Sequence, residues 1–185
     1  MDSGSEAYKR FLSGDKNAMA ELIENYRDGL IMYLNSIVGN ISLAEELAED
    51  TFVRLGTRRP KDKGSGSFKT WLYTIGRNIA IDCMRRQSKN SHIPIEDIEQ
   101  CLTDEQELEE LIIKDERRIA VHKALSRLND NYRQVIWLVY FDGMTAKQAG
   151  AVMKKKPHAV EVMLSRAKNA LRIQLGKDGF DIEDI

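Results

Sequence analysis

The residues best suited to chemistry in this sequence are basic, amide and aromatic side chains at helical spacing, and the chemistry they suit is nucleic-acid binding. From about residue 68 to residue 87 the apolar spacing predicts a helix. Its outward side carries Thr70, Thr74, Arg77, Asn78 and Arg85. Arginine binds phosphates, and an aromatic ring such as that of Trp71 stacks on unpaired bases. A position in the core is the alternative for Trp71.

A second group of such residues lies near the C-terminus. Three lysines at residues 154–156 precede Pro157, a residue favoured at the first position of a helix. The apolar face of that helix carries Val160, Leu164, Ala167 and Leu171, and its polar face carries His158, Glu161, Ser165 and Lys168. A short turn followed by such a helix is typical of a helix-turn-helix, which reads base edges in the major groove. A helical bundle with a solvated polar face is the alternative.

A third group is acidic. Ser42 and Glu45 have the spacing of a capping box, which predicts a helix that begins there and runs to about Leu55. Its inward side is apolar, and its outward side carries Glu46, Glu49, Asp50 and Val53. An acidic strip of this kind suits docking on a basic partner surface, although most such strips are simply the solvated face of a helix.

The elements that position these groups are helices. Apolar spacing predicts further helices over about residues 16–38, from residue 117, over residues 131–141, and from a second capping box at Thr145 and Gln148 to Met153. A basic loop over residues 56–67 contains Arg58, Arg59, Lys61 and Lys63. Alternating strand patterns are absent from the sequence. The expected fold is therefore all-α, with two small helical domains joined by an acidic linker.

The charge distribution agrees with this division. The chain of 185 residues has a formal net charge of −1. Residues 54–95 carry 10 Lys and Arg against 2 Asp and Glu, and residues 117–172 carry 12 against 3. Residues 96–116, between them, carry 1 against 10. Two basic blocks suit a polyanion such as DNA, because neutralised phosphates release counterions.

Several classes of protein are disfavoured by the composition. Cys83 and Cys101 are too few for a disulfide framework or a four-ligand zinc site. The three histidines lie far apart, and no phosphate-binding loop or nucleophile elbow occurs. Neither a secretory signal nor an apolar stretch of about 20 residues is present. We therefore expect a cytoplasmic protein that is not an enzyme, with no cofactor, no metal and no direct membrane insertion.

Two sets of motifs resemble a known family. The run AEELAEDTF at residues 44–52, the run FKTWLYTIGRN at residues 68–78, and then Asp82, Arg85 and Arg86 resemble region 2 of the sigma-70 family. Ala124, Leu125, Leu128, Arg133, the run GMT at residues 143–145, Val160 and the run LSRA at residues 164–167 resemble region 4. Their order and separation are similar to those of the extracytoplasmic-function (ECF) group of sigma factors.

The resemblance implies a subunit that binds core RNA polymerase and recognises promoter DNA. It implies region 2 at residues 8–88, an acidic linker at 89–116, region 4 at 117–175 and a flexible tail at 176–185. The implied contacts with core polymerase are Glu46, Glu49, Asp50, Val53 and Arg54. Those with the minus-10 element are Arg58, Arg59, Lys61, Lys63, Lys69, Trp71, Arg77, Asn78 and Arg85. Those with the minus-35 element are Lys155, Lys156, His158, Glu161, Ser165, Arg166 and Lys168.

The resemblance also implies an anti-sigma partner that holds the factor inactive. Three positions depart from the family pattern: Lys154 stands where a turn glycine is common, Glu161 where lysine is common, and Gly150 where alanine is usual. The minus-35 sequence therefore cannot be transferred from relatives. The alternative function is a stand-alone transcriptional regulator with a helix-turn-helix, which would bind DNA tightly without polymerase.

Overall fold

A computed structural model describes residues 3–60, 66–90 and 116–179. We number its helices α1 to α8, with α6 continued by a short π-helical segment. They are α1 (Ser3–Leu12), α2 (Asn17–Val38), α3 (Ile41–Arg58), α4 (Phe68–Asn90), α5 (Glu116–Ser126), α6 (Asp130–Ile136) with the π segment (Trp137–Phe141), α7 (Ala146–Met153) and α8 (Pro157–Lys177). Within the described ranges there is no strand, which confirms the all-α prediction. The predicted acidic linker lies almost wholly outside the described residues.

The first unit, residues 3–90, contains α1 to α4. Gly39 ends α2 in a left-handed conformation with φ of 67°, and Asn40 then caps α3 by accepting a hydrogen bond from the Leu43 amide over 2.8 Å. The predicted capping box at Ser42 is therefore wrong, because the asparagine two residues earlier already caps the helix. The helix α1 was absent from the sequence-based prediction.

The apolar faces of these helices meet in one core. Leu22, Leu30 and Leu34 of α2 and Leu55 of α3 are fully buried, as is Leu72 of α4. Thr70 is also buried, and its hydroxyl lies 2.9 Å from that of Ser67 at the start of α4. The outward position predicted for Thr70 is therefore wrong.

The second unit, residues 116–179, contains α5 to α8. Thr145 and Gln148 form the predicted capping box at the start of α7, and Pro157 occupies the first turn of α8 as predicted. In the π segment the amide of Asp142 donates to the carbonyl of Trp137, one residue further back than in an α-helix. Gly143 then turns the chain with φ of 67°.

The two units pack against each other rather than standing apart. Helix α4 of the first unit lies against α7 of the second, and α2 lies against α6. A single cluster of buried apolar side chains extends across both units, from Tyr73 on α4 to Val152 on α7. No helix in the described part of the chain has the length and apolar character needed to cross a membrane.

Candidate nucleic-acid interface

The acidic strip of α3 is exposed. Ala44, Ala48, Phe52 and Leu55 face the core. The opposite side presents Glu46, Glu49, Asp50 and Val53, and the Val53 side chain is 59% exposed. Residues three and four positions apart are neighbours on a helix, so these four form one continuous surface. Arg54 lies beside them and is half-buried. An apolar residue left in solvent within three carboxylates suits a partner that is both basic and apolar.

The residues predicted on α4 fall on two different sides of the helix. Trp71, Asn78 and Arg85 are spaced by seven residues, which places them along one line of the helix surface. Arg85 is exposed, whereas Asn78 and Trp71 are half-buried. Lys69 and Arg77 lie on another side, which faces the second unit.

Lys69 and Arg77 both contact the second unit. The Lys69 ammonium lies 2.7 Å from Oδ1 of Asp142 and also donates to the Asp142 backbone carbonyl over 2.9 Å. The Arg77 Nε donates to Oε1 of the buried Gln134 over 3.2 Å. Tyr73, between them on α4, donates from its hydroxyl to the same Asp142 oxygen over 2.8 Å. In this arrangement two of the predicted DNA contacts are already occupied by partners from the same chain.

Asp142 is the centre of this contact, which we call the Asp142 clasp (Asp142 with Lys69 and Tyr73). The Asp142 side chain is only 6% exposed. Its second oxygen is buried without a hydrogen-bond partner among the described residues. Burial raises the pKa of this carboxyl above its ordinary value, although the hydrogen bonds from Lys69 and Tyr73 oppose the shift.

The end of α3 carries two further predicted contacts. Arg58 is the last residue of the helix, and Arg59 follows it in a left-handed conformation with φ of 42°. Both side chains are exposed, and the Arg59 guanidinium lies 5.5 Å from the centre of the Phe11 ring. Lys61 and Lys63 lie outside the described residues.

The predicted helix-turn-helix is formed by α7, the turn at residues 154–156, and α8. Val160 and Ala167 of α8 are fully buried. The opposite side exposes Lys156, His158, Glu161, Ser165, Arg166 and Lys168, and Lys155 is half-buried. The imidazole of His158 lies 3.6 Å from the Glu161 carboxylate. The exposed side of α8 thus presents three basic side chains among other polar groups and the apolar Val162, a surface that suits a helix in the major groove.

The geometry of the turn explains the glycine at position 150 and shows that the lysine at position 154 is strained. Lys154 has φ of 56°, in the left-handed region where glycine is the unstrained residue. A Cβ atom on Gly150 would lie 2.7 Å from the backbone carbonyl oxygen of Lys155, so this turn passes too close for alanine. The amide of Lys155 also donates to the Gly150 carbonyl over 2.8 Å, which fixes the close approach.

Sequence reasoning missed an aromatic surface beside α8. Tyr140 and Phe141 are about half exposed, and the Lys168 ammonium lies 5.6 Å from the Tyr140 ring centre. The Trp137 and Phe141 rings stack at 4.3 Å, with His122 beside them. Burial lowers the pKa of His122. The apolar spacing of this segment predicts a helix, but it does not show which of the apolar residues face solvent.

In the described ranges, no three His, Cys, Asp or Glu side chains are grouped so that they could hold a metal ion.

Comparison with known proteins assigns the chain to a family. A family model described as Sigma-70 region 2 matches residues 22–90, and one described as Sigma-70, region 4 matches residues 118–171. The chain belongs to the sigma-70 family. These two matches cover most of α2, all of α3 and α4, and most of α5 to α8, so each candidate surface lies in the region that the motifs had indicated.

Curated relatives place this sigma factor in the ECF group. It is 26% identical to the ECF RNA polymerase sigma factor SigW of Bacillus subtilis, over 90% of this chain and 94% of the relative. It is 24% identical to the RNA polymerase sigma-H factor of Pseudomonas aeruginosa, over 92% of each chain.

Solved structures share the fold of this sigma factor. CnrH, solved with the cytosolic domain of CnrY, has a TM-score of 0.69 at 24% identity, covering 96% of this chain and 99% of the other. The sigma factor RpoE, solved with the anti-sigma factor NepR from Bartonella quintana, has a TM-score of 0.65 at 20% identity, covering 85% and 96%.

Proposed function

We propose that this chain is an alternative sigma factor that binds core RNA polymerase and directs transcription initiation at a specific set of promoters. The observation that carries the proposal is the pair of family matches on two structural units, each of which exposes a surface of suitable charge. The role is one of binding and positioning, with the synthetic chemistry left to the polymerase. A stand-alone regulator is disfavoured because neither match describes such a protein.

In this proposal the acidic strip of α3 docks on the polymerase. Reversing one charge, Glu49→Lys, should weaken binding to core enzyme about tenfold, since like charges then face each other across the contact. Glu24→Lys is the matched control, because Glu24 is an exposed acid on α2 outside the strip. Equal loss in both variants would refute the assigned surface.

The line of Trp71, Asn78 and Arg85 on α4 is proposed to bind the unpaired non-template strand of the minus-10 element. Asn78→Ala should reduce promoter melting more than initial binding, because an amide that holds a flipped base acts only after the strands separate. Asn25→Ala, an exposed asparagine on α2, is the control. Melting is measured by permanganate reactivity, and initial binding by gel shift at low temperature. Equal loss in both steps contradicts the role.

Helix α8 is proposed to enter the major groove of the minus-35 element. Exposed Arg166 and Lys168 are placed for phosphates, while Glu161 can accept a hydrogen bond from a cytosine amino group. Glu161→Gln should change the base preference at one minus-35 position by about tenfold, as measured by selection of promoter variants. An unchanged preference would make Glu161 a bystander.

In this proposal the two units separate, because Lys69 and Arg77 can reach DNA only when the second unit leaves α4. In the docked arrangement Lys69 is held by Asp142, and Arg77 by Gln134. We propose that core polymerase binds the units apart, which frees Lys69 and Arg77 for the DNA backbone. The acidic linker at residues 89–116 would connect them and, in the free factor, compete with DNA for the basic blocks.

An anti-sigma factor is the proposed regulatory partner. The proposal is supported by RpoE, a protein of the same fold solved with the anti-sigma factor NepR. Such a partner should copurify with this chain from the source cells and should suppress its activity in transcription assays.

The whole proposal is tested by run-off transcription with purified core polymerase on fragmented genomic DNA of the source organism. Added factor should produce a small set of defined transcripts, and their start sites give the promoter sequences. A gel shift on those promoters, with and without core enzyme, distinguishes the alternative function. Tight binding without core enzyme, or failure to bind core enzyme in a pull-down, would refute the proposal.

A further inference from the structure

Helix α1 connects the two elements that carry predicted minus-10 contacts, although it lies outside residues 22–90 that match region 2. Tyr8 is 2% exposed and makes this connection. Its hydroxyl donates to the carbonyl of Pro60, just beyond α3, over 2.9 Å. Its ring lies 5.8 Å from the ring of Phe68 and 5.2 Å from the ring of Trp71, both in the first turn of α4. One side chain thus joins the end of α3 to the start of α4.

Phe11, one helical turn further along α1, supports the same junction. Its ring lies 5.5 Å beneath the Arg59 guanidinium, within the range of a cation–π contact. Arg59 has the left-handed backbone conformation that residues other than glycine adopt only at a cost. Contacts from α1 on both sides, at the Arg59 side chain and at the Pro60 carbonyl, favour this conformation over its alternatives.

Helix α1 also fits closely on the start of α4. A Cβ atom on Gly4 would lie 2.6 Å from the Phe68 ring and 2.5 Å from the Tyr26 hydroxyl, so only glycine permits this approach. The Phe68 ring is fully buried beneath α1. The position of α1 relative to α4 is therefore set by packing.

We propose that Tyr8 and Phe11 are positioning residues, which hold Arg59 and Trp71 in the arrangement that binds the minus-10 strand. The proposal rests on the function proposed above and extends it to a helix with no assigned role. Its physical basis is preorganisation, because side chains fixed before binding lose less conformational entropy when DNA arrives.

The test uses the full chain assembled with core polymerase. The probe is a fluorescent non-template oligonucleotide that carries the minus-10 sequence found by run-off. Tyr8→Phe removes the hydrogen bond to the Pro60 carbonyl but keeps the aromatic ring, and it should weaken oligonucleotide binding about fivefold. Phe11→Leu keeps an apolar side chain but removes the ring beneath Arg59, and should weaken binding about threefold. Core affinity should stay unchanged for both variants, and both should stay folded at the assay temperature, although loss of the Tyr8 hydrogen bond lowers the melting temperature slightly. Tyr132→Phe is the control and should bind as wild type does, because Tyr132 is a half-buried tyrosine on α6 that lines a cleft with Ala159 of α8 within the second unit.

A double-mutant cycle distinguishes positioning from mere stabilisation. In the background of Arg59→Ala, an exposed position, Phe11→Leu should cause no further loss of oligonucleotide affinity, since its target is gone. A further loss of the same size as in the wild-type background overturns the proposal. So does wild-type affinity in both Tyr8→Phe and Phe11→Leu. If the wild-type holoenzyme itself fails to bind the oligonucleotide while binding core enzyme normally, the minus-10 assignment of Arg59 and Trp71 is wrong, and this inference falls with it.

Discussion

Tyr73→Phe should open the docked arrangement of the two units and thereby strengthen DNA binding by the free factor. The change removes only the hydroxyl that donates to Asp142 over 2.8 Å, while the ring remains stacked on that of Tyr33. A hydrogen bond to a charged group contributes about 1.5–3 kcal/mol, and the Asp142 side chain is too deeply buried for solvent to replace it. We therefore expect docking to weaken by about 2 kcal/mol, which is about 30-fold in the closed-to-open equilibrium.

In the proposed function, only the open form presents Lys69 and Arg77 to DNA. To the extent that oligonucleotide binding needs these two residues, and when the closed form dominates, apparent affinity is the intrinsic affinity multiplied by the open fraction. The affinity of the free factor for a minus-10 oligonucleotide should then rise up to about 30-fold, as measured by fluorescence anisotropy. The rise is smaller if the open form already makes up several per cent of the wild-type protein.

Tyr132→Phe is the matched control for this prediction as well. It removes a tyrosine hydroxyl within the second unit, on the side of α6 that lines a cleft with Ala159 of α8. Dyes attached to cysteines at Asn25 on α2 and Asn169 on α8, in a chain whose own two cysteines are serine, report the separation of the units by energy transfer. If Tyr73→Phe leaves both the dye separation and the oligonucleotide affinity equal to those of Tyr132→Phe, the clasp does not hold the units together.

Four further predictions concern the second unit. Gly150→Ala should lower its stability by about 1–3 kcal/mol in urea unfolding, because the added methyl meets the Lys155 carbonyl; a neutral result would show that the turn can move away. Lys154→Gly should raise its stability by about 0.5–1 kcal/mol, since glycine removes the left-handed strain; a loss would refute strain there. Burial raises the pKa of Asp142, so the closed form binds the carboxyl proton more tightly than the open form does. As pH falls through the raised pKa toward the ordinary value of 3.8, the closed form should therefore gain population, and energy transfer between the dyes on α2 and α8 should increase. Asp142→Asn should abolish that response. Burial lowers the pKa of His122, so as pH falls the unfolded chain takes up a proton at this residue before the folded chain does. The melting temperature of the wild type should therefore decrease when the pH is lowered below 6.5, and that of His122→Phe should not.

Local pattern was enough to predict much of the helical framework. The apolar spacing of α2 and the capping box at Thr145 depend on residues within a few positions of one another, and both are confirmed. The same holds for Pro157 at the start of α8 and for the buried positions of Val160 and Ala167. Each of these features is decided by neighbours in the sequence.

Features that depend on distant contacts were not predictable in this way. Helix α1 begins with Ser, Gly and Ser, a poor start for an isolated helix, and Gly4 is explained only by its approach to Phe68. Asp142 could be recognised as the end of a helix, but nothing nearby in sequence indicates that Lys69, 73 residues earlier, is its partner. Lys69 therefore looked like a free basic contact for DNA. The roles of the individual surface residues stay predictions until the binding experiments are done.

The π segment at residues 137–141 has a consequence for how such a protein can evolve. A π-helical turn accommodates one residue more than an α-helical turn, and it rotates whatever follows by about a quarter of a turn. Here the residue that follows is Asp142, whose amide closes the wide turn. Deleting one residue after Leu138 would restore regular helical spacing and carry the Asp142 carboxylate away from Lys69. Loss of a single codon would then convert a factor whose two units are docked in the free protein into one whose units are apart.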